Sequence, residues 1–185
     1  YDDQLEIGMR CGRIGNSSLL FEGAVFRGDE LLINGELVYV FADPHTQTSR
    51  PVPPSLREVL LGFEAGQGMV DVRVGGWDEL GREASAIRTA VFVEEQRIPA
   101  EREWDVADAS CVHAVAYNRL GLPLATGRLL QHVPGVAKIG RMAVSQGLRG
   151  SGVGRHVLDA LMKAARARGD REVLLVNAKV SRPWQ

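Results

Sequence analysis

Cysteine is scarce in this 185-residue chain. Cys11 and Cys111 stand alone, with no Cys-x-x-Cys pair and no metal-ligand cluster around them. That argues against a disulfide framework and offers no metal-binding spacing, so a reducing, cytoplasmic setting without a metal is expected. A surplus of one charge sign is missing too. The formal net charge is −1, which gives no strong pull towards nucleic acid or an anionic membrane. No apolar run approaches the roughly 18 residues that a membrane span needs. Internal repeats and low-complexity tracts are also absent from the sequence. The opening, Tyr1-Asp2-Asp3-Gln4, is acidic, unlike a signal peptide, and it lacks Met, as a fragment or a processed chain would. What remains is ordinary for a globular protein: 45% hydrophobic and 24% charged residues, in a length that suits one domain or two small ones.

The first third reads as β structure. Leu5 to Arg13, Ser18 to Arg27 and Leu31 to Ala42 are short runs rich in Val, Ile, Leu, Phe and Tyr. Gly15-Asn16 and Gly28-Asp29 separate them, and the second pair predicts a hairpin. Pro44, Pro51, Pro53 and Pro54 then break regular structure. Ser55 is placed to cap a short helix carrying Leu56, Val59, Leu60 and Phe63 on one face. Gly62 and Gly66-Gln67-Gly68 follow, and a boundary is expected there, dividing residues 1–66 from 67–185. Beyond it the pattern becomes mixed α and β. Met69 to Val74 predicts a strand. Asp78 predicts the cap of a helix from Glu79 to about Glu95, with Leu80, Ala84, Ile87 and Val91 on one stripe. Val112–Asn118, Leu124–Gln131 and Val136–Val144 predict three strands. A helix to about Arg168, stopped by Gly169, and a strand from Val173 to Ala178 complete the pattern.

Ile139-Gly140-Arg141-Met142-Ala143-Val144, Ser145 to Leu148, and Arg149-Gly150-Ser151-Gly152-Val153-Gly154 carry the clearest chemistry. They predict a strand, a glycine-dense loop and a helix start. Glycine allows positive φ and close approach of backbone to a ligand. The first turn of a helix offers unpaired N–H groups and the positive end of its dipole, a seat for phosphate. A Walker loop needs Gly-Lys-Ser/Thr, but Gly154 is followed by Arg155-His156. A dinucleotide fingerprint needs a third glycine, where Val157 stands, and an opening βαβ unit. The pattern left is Arg-x-x-Gly-x-Gly, met by Arg149, Gly152 and Gly154. A tight strand–helix turn with no ligand uses the same glycines.

The spaced motifs around this loop resemble the GNAT acetyltransferases, and among them the ElaA-like branch, over most of residues 72 to 178. They are Ile87-Arg88-Thr89-Ala90-Val91-Phe92-Val93-Glu94-Glu95-Gln96, then Asp105, Asp108 and His113, then Ala125-Thr126-Gly127-Arg128-Leu129 and the stretch from Ile139 to Gly154. The resemblance implies an α+β acyl-CoA N-acyltransferase fold that takes acetyl-CoA as co-substrate and an amine as acceptor. It implies that Met142, Ala143 and Val144 meet the pantetheine arm and the thioester, chiefly through the backbone of Met142 and Val144. Arg149, Gly150, Ser151, Gly152, Val153 and Gly154 would hold the pyrophosphate. Attack by the amine requires loss of a proton, and Glu95, Asp105 and His113 are the candidates to assist it. Each has a plainer role open to it: an ion-paired helix end, a turn cap, a structural strand residue.

In that family the last strand runs on into a loop and a helix bearing a tyrosine that protonates the departing thiolate. Here Ala178 is followed by Lys179-Val180-Ser181-Arg182-Pro183-Trp184-Gln185. The fold is therefore expected to be incomplete at its C-terminus, and the activity of this exact chain is in question. Residues 1 to about 64 resemble the second half of a hotdog-fold acyl-CoA thioesterase of the 4-hydroxybenzoyl-CoA type. The likeness rests on the strand pair, Gly35 to Asp43, and Arg50-Pro51-Val52-Pro53-Pro54-Ser55-Leu56-Arg57. That family's catalytic aspartate has no counterpart, since Asp2, Asp3 and His45 do not match its motif. Pairing of two such sheets would imply a homodimer. Three functions stay open: an N-acetyltransferase, an acyl-CoA thioesterase, and a catalytically silent CoA-binding module.

Overall fold

A computed structural model of the chain describes residues 3–176. The chain divides into two compact units, Tyr1–Met69 and Val70–Gln185. The first unit is an antiparallel meander of β1 (Glu6–Ile14), β2 (Ser18–Arg27) and β3 (Glu30–Val40), followed by α1 (Pro54–Glu64). Arg27 pairs with Glu30 across the β2–β3 turn, and Gly28 takes φ 57° there, a left-handed conformation that glycine adopts without strain. Ser55 does not cap α1. The helix opens at Pro54, whose fixed φ presets the first turn, and no side chain caps it. The Glu64 carboxylate accepts the Cys11 N–H at 2.7 Å, and Arg57 donates to the carbonyls of Ile14 and Gly15, tying the helix to the end of β1. Every residue of β3 is exposed.

The second unit is a five-stranded sheet in the order β4 (Val70–Gly75), β5 (Val112–Asn118), β6 (Pro123–Val133), β7 (Val136–Val144) and β8 (Glu172–Leu175). All neighbours are antiparallel except β7 and β8, which run parallel across α4 (Val153–Arg168). Strand side chains alternate between faces, and here both faces are covered. Ala114 and Ala116 of β5 pack with Val153, Val157, Leu161 and Ala165 of α4. Val115 and Tyr117 pack on the other face with Leu80, Ala84 and Ile87 of α2 (Trp77–Arg88).

Several expected boundaries move for physical reasons. Asp78 is not a cap; Gly76 holds that position, and Asp78 and Glu79 stand in the first turn, where negative charge complements the helix dipole. The α-helix expected to reach Glu95 ends at Arg88 and widens into a π-helical turn over Thr89–Glu95, closed by a Gln96 N–H to Val91 carbonyl bond. The segment between that turn and β5 forms two short elements the apolar pattern does not announce, α3 (Ala100–Glu103) and a 3-10 turn (Val106–Ser110). The last expected strand is seen as Glu172–Leu175, and Ala178 lies outside the described residues. Among the described residues no helix is long and apolar enough to cross a membrane.

Candidate functional site

The site begins with a break in β7. Thr126 pairs with Ala143, but Arg128 pairs with Gly140, so one extra residue is inserted into β7. Arg141 sits at the insertion with φ 53°, a left-handed conformation that costs a non-glycine residue about 1–3 kcal/mol. The bulge inverts the alternation beyond it. Ala137 and Ile139 face α4, whereas Ala143 faces α2 and Met142 turns to α4. It also sets the main chain. The Ser145 N–H donates to the Leu124 carbonyl on β6, so Val144, one residue back, directs its own N–H and carbonyl away from β6.

On that far side β8 pairs with β7 only from Val136 to Ile139, and the last bond runs from the Val176 N–H to the Ile139 carbonyl. Beyond Gly140 the edge of β7 has no strand partner among the described residues. The open edge leads into the glycine loop. Gly150 and Gly152 take φ 83° and 84°, and Gly152 is the N-cap of α4. No side chain caps the helix. The amides of Gly150, Gly152, Val153 and Gly154 meet no main-chain acceptor among the described residues. Those of Arg149 and Ser151 do, donating to the carbonyls of Gln146 and Leu148. The Ser151 hydroxyl likewise turns inward to the Leu148 carbonyl at 2.6 Å. The loop's free donors are thus four glycine-flanked amides at a helix mouth, an arrangement suited to an anion. A Cβ built on Gly152 would meet open space.

The three residues singled out for proton transfer are all engaged. Glu95 ends the π-helical turn and forms a fork-to-fork ion pair with Arg149, Nη1 to Oε1 at 2.6 Å and Nη2 to Oε2 at 2.5 Å. The Arg149 bond holds its carboxyl below the usual carboxylate range. Asp105 caps the 3-10 turn through the Ala107 N–H at 3.0 Å and pairs with Arg128, and those bonds lower its carboxyl. His113 is buried. Its Nε2 donates to the Asp108 carbonyl at 2.9 Å, and its ring lies 4.9 Å from that of Trp77. Burial keeps it uncharged, lowering its imidazole below the ordinary histidine range. His113 therefore occupies the core, Glu95 stands as an ion-paired end of the turn, and Asp105 caps the next one.

Sequence reasoning missed the charged cluster behind these residues. Glu103 is 0% exposed and Arg88 1%. Arg88 binds the Glu103 carboxylate through Nε and the Glu103 carbonyl at 2.8 Å, and it reaches both Asp108 oxygens at 3.0 Å. Trp77 and Trp104 flank its guanidinium at 5.6 and 5.5 Å. Arg128 binds Asp108 at 2.8 Å and Asp105 at 3.0 Å, while its Nε is buried without a partner. Arg141 closes the cluster, bonding Glu103 Oε2 at 2.8 Å and the Arg102 carbonyl at 3.1 Å. Burial alone would raise the Asp108 carboxyl, but hydrogen bonds from Arg88 and Arg128 outweigh it and hold it low. The signal available in the sequence was a charge inside an apolar run, Arg128 within Leu124–Leu130, which demands a buried partner. Among the described residues no group of three or more His, Cys, Asp or Glu is gathered as a metal site would require.

Comparison with known proteins places the likeness in the second unit. Residues 77–182 match the Acetyltransferase (GNAT) family. The chain is 35% identical over 102 residues to the uncharacterized N-acetyltransferase YjcF of Bacillus subtilis, covering 55% of this chain and 71% of that protein. Among solved structures it is similar to a putative N-acetyltransferase from Lactobacillus plantarum, with a TM-score of 0.52, 36% identity, and coverage of 56% of this chain and 71% of that one. Escherichia coli ElaA gives a TM-score of 0.53 at 25% identity, over 60% of this chain and 80% of that one.

Proposed function

The chain belongs to the GNAT acetyltransferase family, and on that premise we propose that it transfers an acetyl group from acetyl-CoA directly to an amine. The observation that carries this reading is the set of unbonded amides at Gly150, Gly152, Val153 and Gly154, set where the open edge of β7 ends. The diphosphate of the coenzyme takes those amides, and its pantetheine arm runs along Met142 and Val144. A strand N–H polarises the thioester oxygen, which gains charge as the amine attacks. The nitrogen bonds to the acetyl carbon, the carbon–sulfur bond breaks, and the thiolate leaves. The amine's proton goes to a carboxylate or through a relay of water. Glu95 is the better placed of the named acids, since it is exposed and belongs to the turn that pairs with the loop. Asp105 and His113 are tied into the buried cluster.

A thioesterase role for the first unit has less behind it. The family match begins at residue 77, outside that unit. A three-stranded meander joined by a proline turn to a short helix is its whole described architecture. The deciding experiment follows thiol release from acetyl-CoA with and without a panel of amines. Amine-dependent release supports the transferase. Release without amine, strongest on aromatic acyl-CoA, would favour the thioesterase. CoA binding without turnover would favour the silent module.

The loop itself supplies a second check. Gly152→Val is expected to weaken CoA binding at least tenfold, because a β-branched residue at φ 84° must move the amides beside it. Undiminished affinity by calorimetric titration would remove the loop from the site.

A further inference from the structure

The bulge in β7 requires at residue 141 a conformation that sheets ordinarily assign to glycine. The chain has arginine there, with φ 53°, and a strained residue persists only where its surroundings over-determine it. Those surroundings are specific. The Arg141 guanidinium spans two acceptors on one short helix, the Glu103 carboxylate at 2.8 Å and the Arg102 carbonyl at 3.1 Å. Glu103 cannot yield to it, being fully buried with its other oxygen held by Arg88. Arg88 in turn is fixed by Asp108, and Asp108 by Arg128. The tether therefore runs from the bulge into a cluster of three arginines and three carboxylates that bond one another. The segment that carries Glu103 lies between the π-helical turn and β5, so that segment and β7 are fastened at one point.

We propose that Arg141 and Glu103 are positioning residues: their ion pair holds the bulge open, so that β7 presents its main-chain groups at Met142 and Val144 to the pantetheine arm of the coenzyme. This rests on the acetyl-CoA reading above. Neither side chain touches the ligand. Arg141 acts through its own backbone, and Glu103 acts through Arg141. Without the tether, a non-glycine residue at 141 relaxes out of the left-handed conformation and the strand regains regular alternation. Met142 then turns from the α4 face to the α2 face, and the main chain facing the gap shifts by one residue.

The test separates backbone shape from charge, using two variants and two probes on the full chain. The probes are CoA and 3′-phosphoadenosine 5′-diphosphate, which carries the diphosphate without the pantetheine arm. Affinities are read by calorimetric titration. Arg141→Ala loses the tether and keeps the strain, so CoA affinity is expected to fall about tenfold while the nucleotide binds within about twofold of wild type. Arg141→Gly also loses the tether but adopts the left-handed conformation freely, and it is expected to stay within about threefold of wild type for CoA. Glu103→Gln should follow Arg141→Ala if it folds, and the two variants at 141 decide the matter if it does not. Three results would overturn the proposal: Arg141→Ala matching wild type, Arg141→Gly as weak as alanine, or alanine weakening both probes alike. Failure of wild type to bind CoA at all would instead sink the acetyl-CoA reading, and this inference with it.

Discussion

β3 and β5 are both mainly apolar strands with opposite fates. Glu30–Val40 is rich in Leu, Ile, Val and Tyr, and every residue is exposed. Val112–Asn118 is also mainly apolar, and its five central residues are all buried. Strand formation is local: β-branched and aromatic side chains favour extended backbone wherever a neighbour can be paired. Burial needs a second layer, and that is supplied from elsewhere in the chain. In the second unit α2 and α4 cover the two faces of β5. In the first unit the meander is accompanied by α1, whose buried complement is Gly62. The GNAT family match lies in the unit of the covered sheet. A closed core can hold Arg88, Glu103 and Asp108 in fixed register, and an uncovered sheet offers no such confinement.

The sharpest way to break that contrast is to unbalance the buried charges. Arg88→Ala strands Glu103 and Asp108 as buried acids facing one fewer cation. Removing one partner of such a pair typically costs about 3–5 kcal/mol, so the largest loss predicted is here. Urea denaturation of the purified chain reads it directly. A loss below about 1 kcal/mol would mean that water enters the cluster and the covered unit is less closed than it looks.

Next comes packing at the strand–helix interface. Gly127 lies beneath α4, and a Cβ there would come within 2.9 Å of Leu161 Cδ1 and 3.0 Å of Val157 Cγ1, and against Met142 Sδ as well. Gly127→Ala is expected to cost about 1–3 kcal/mol, since two of these neighbours are core side chains in a close-packed layer. The same change at Gly35 of β3, where nothing lies within 4 Å, should cost far less. Thermal melts of the two variants sharpen the comparison with a single pair of substitutions.

Proton linkage separates the regions in another way. Burial lowers the His113 imidazole, and Arg88 and Arg128 lower Asp108 against the opposing effect of burial. Both groups bind protons more tightly when unfolded. Each therefore contributes stability that is full above its unfolded pKa and is lost as pH falls towards the folded value. The melting temperature should drop in two stages on acidification, first below the ordinary histidine range and then below the ordinary carboxylate range. His113→Asn should remove the first stage. A single acid transition unchanged by that variant would assign the effect elsewhere.

How much of this was legible follows the same division. The three strands of the first unit, the strands β5 to β7 and the helix after Gly154 were readable because their signals are local: alternation, turn glycines, helical spacing. The glycine loop leading into α4 was readable for the same reason. Arg141 was not. Nothing in Ile139 to Val144 announces a left-handed arginine, because its cause lies 38 residues back, at Glu103. Ser55 and Asp78 suggest caps by residue type, but each stands near a helix start that a proline or a glycine already fixes. Glu95, Asp105 and His113 stand out for their chemistry, but the arginines that pair with the first two, Arg149 and Arg128, come from distant positions.

The smallest effect tests the exposed side of the comparison. Val38 on β3 is 64% exposed, and so is Ile33 on the same strand. Threonine keeps the β-branch that favours extended backbone, and its hydroxyl stays in water. Val38→Thr and Ile33→Thr should each change stability by no more than about 0.5 kcal/mol, the range usual for surface substitutions. The same exchange at the fully buried Val115 of β5 would place an unpartnered hydroxyl in the core and cost about 1–3 kcal/mol. If Val38→Thr proved as costly as Val115→Thr, β3 would have to be covered in solution. The difference between the two strands would then reflect the missing neighbour, not the strand itself.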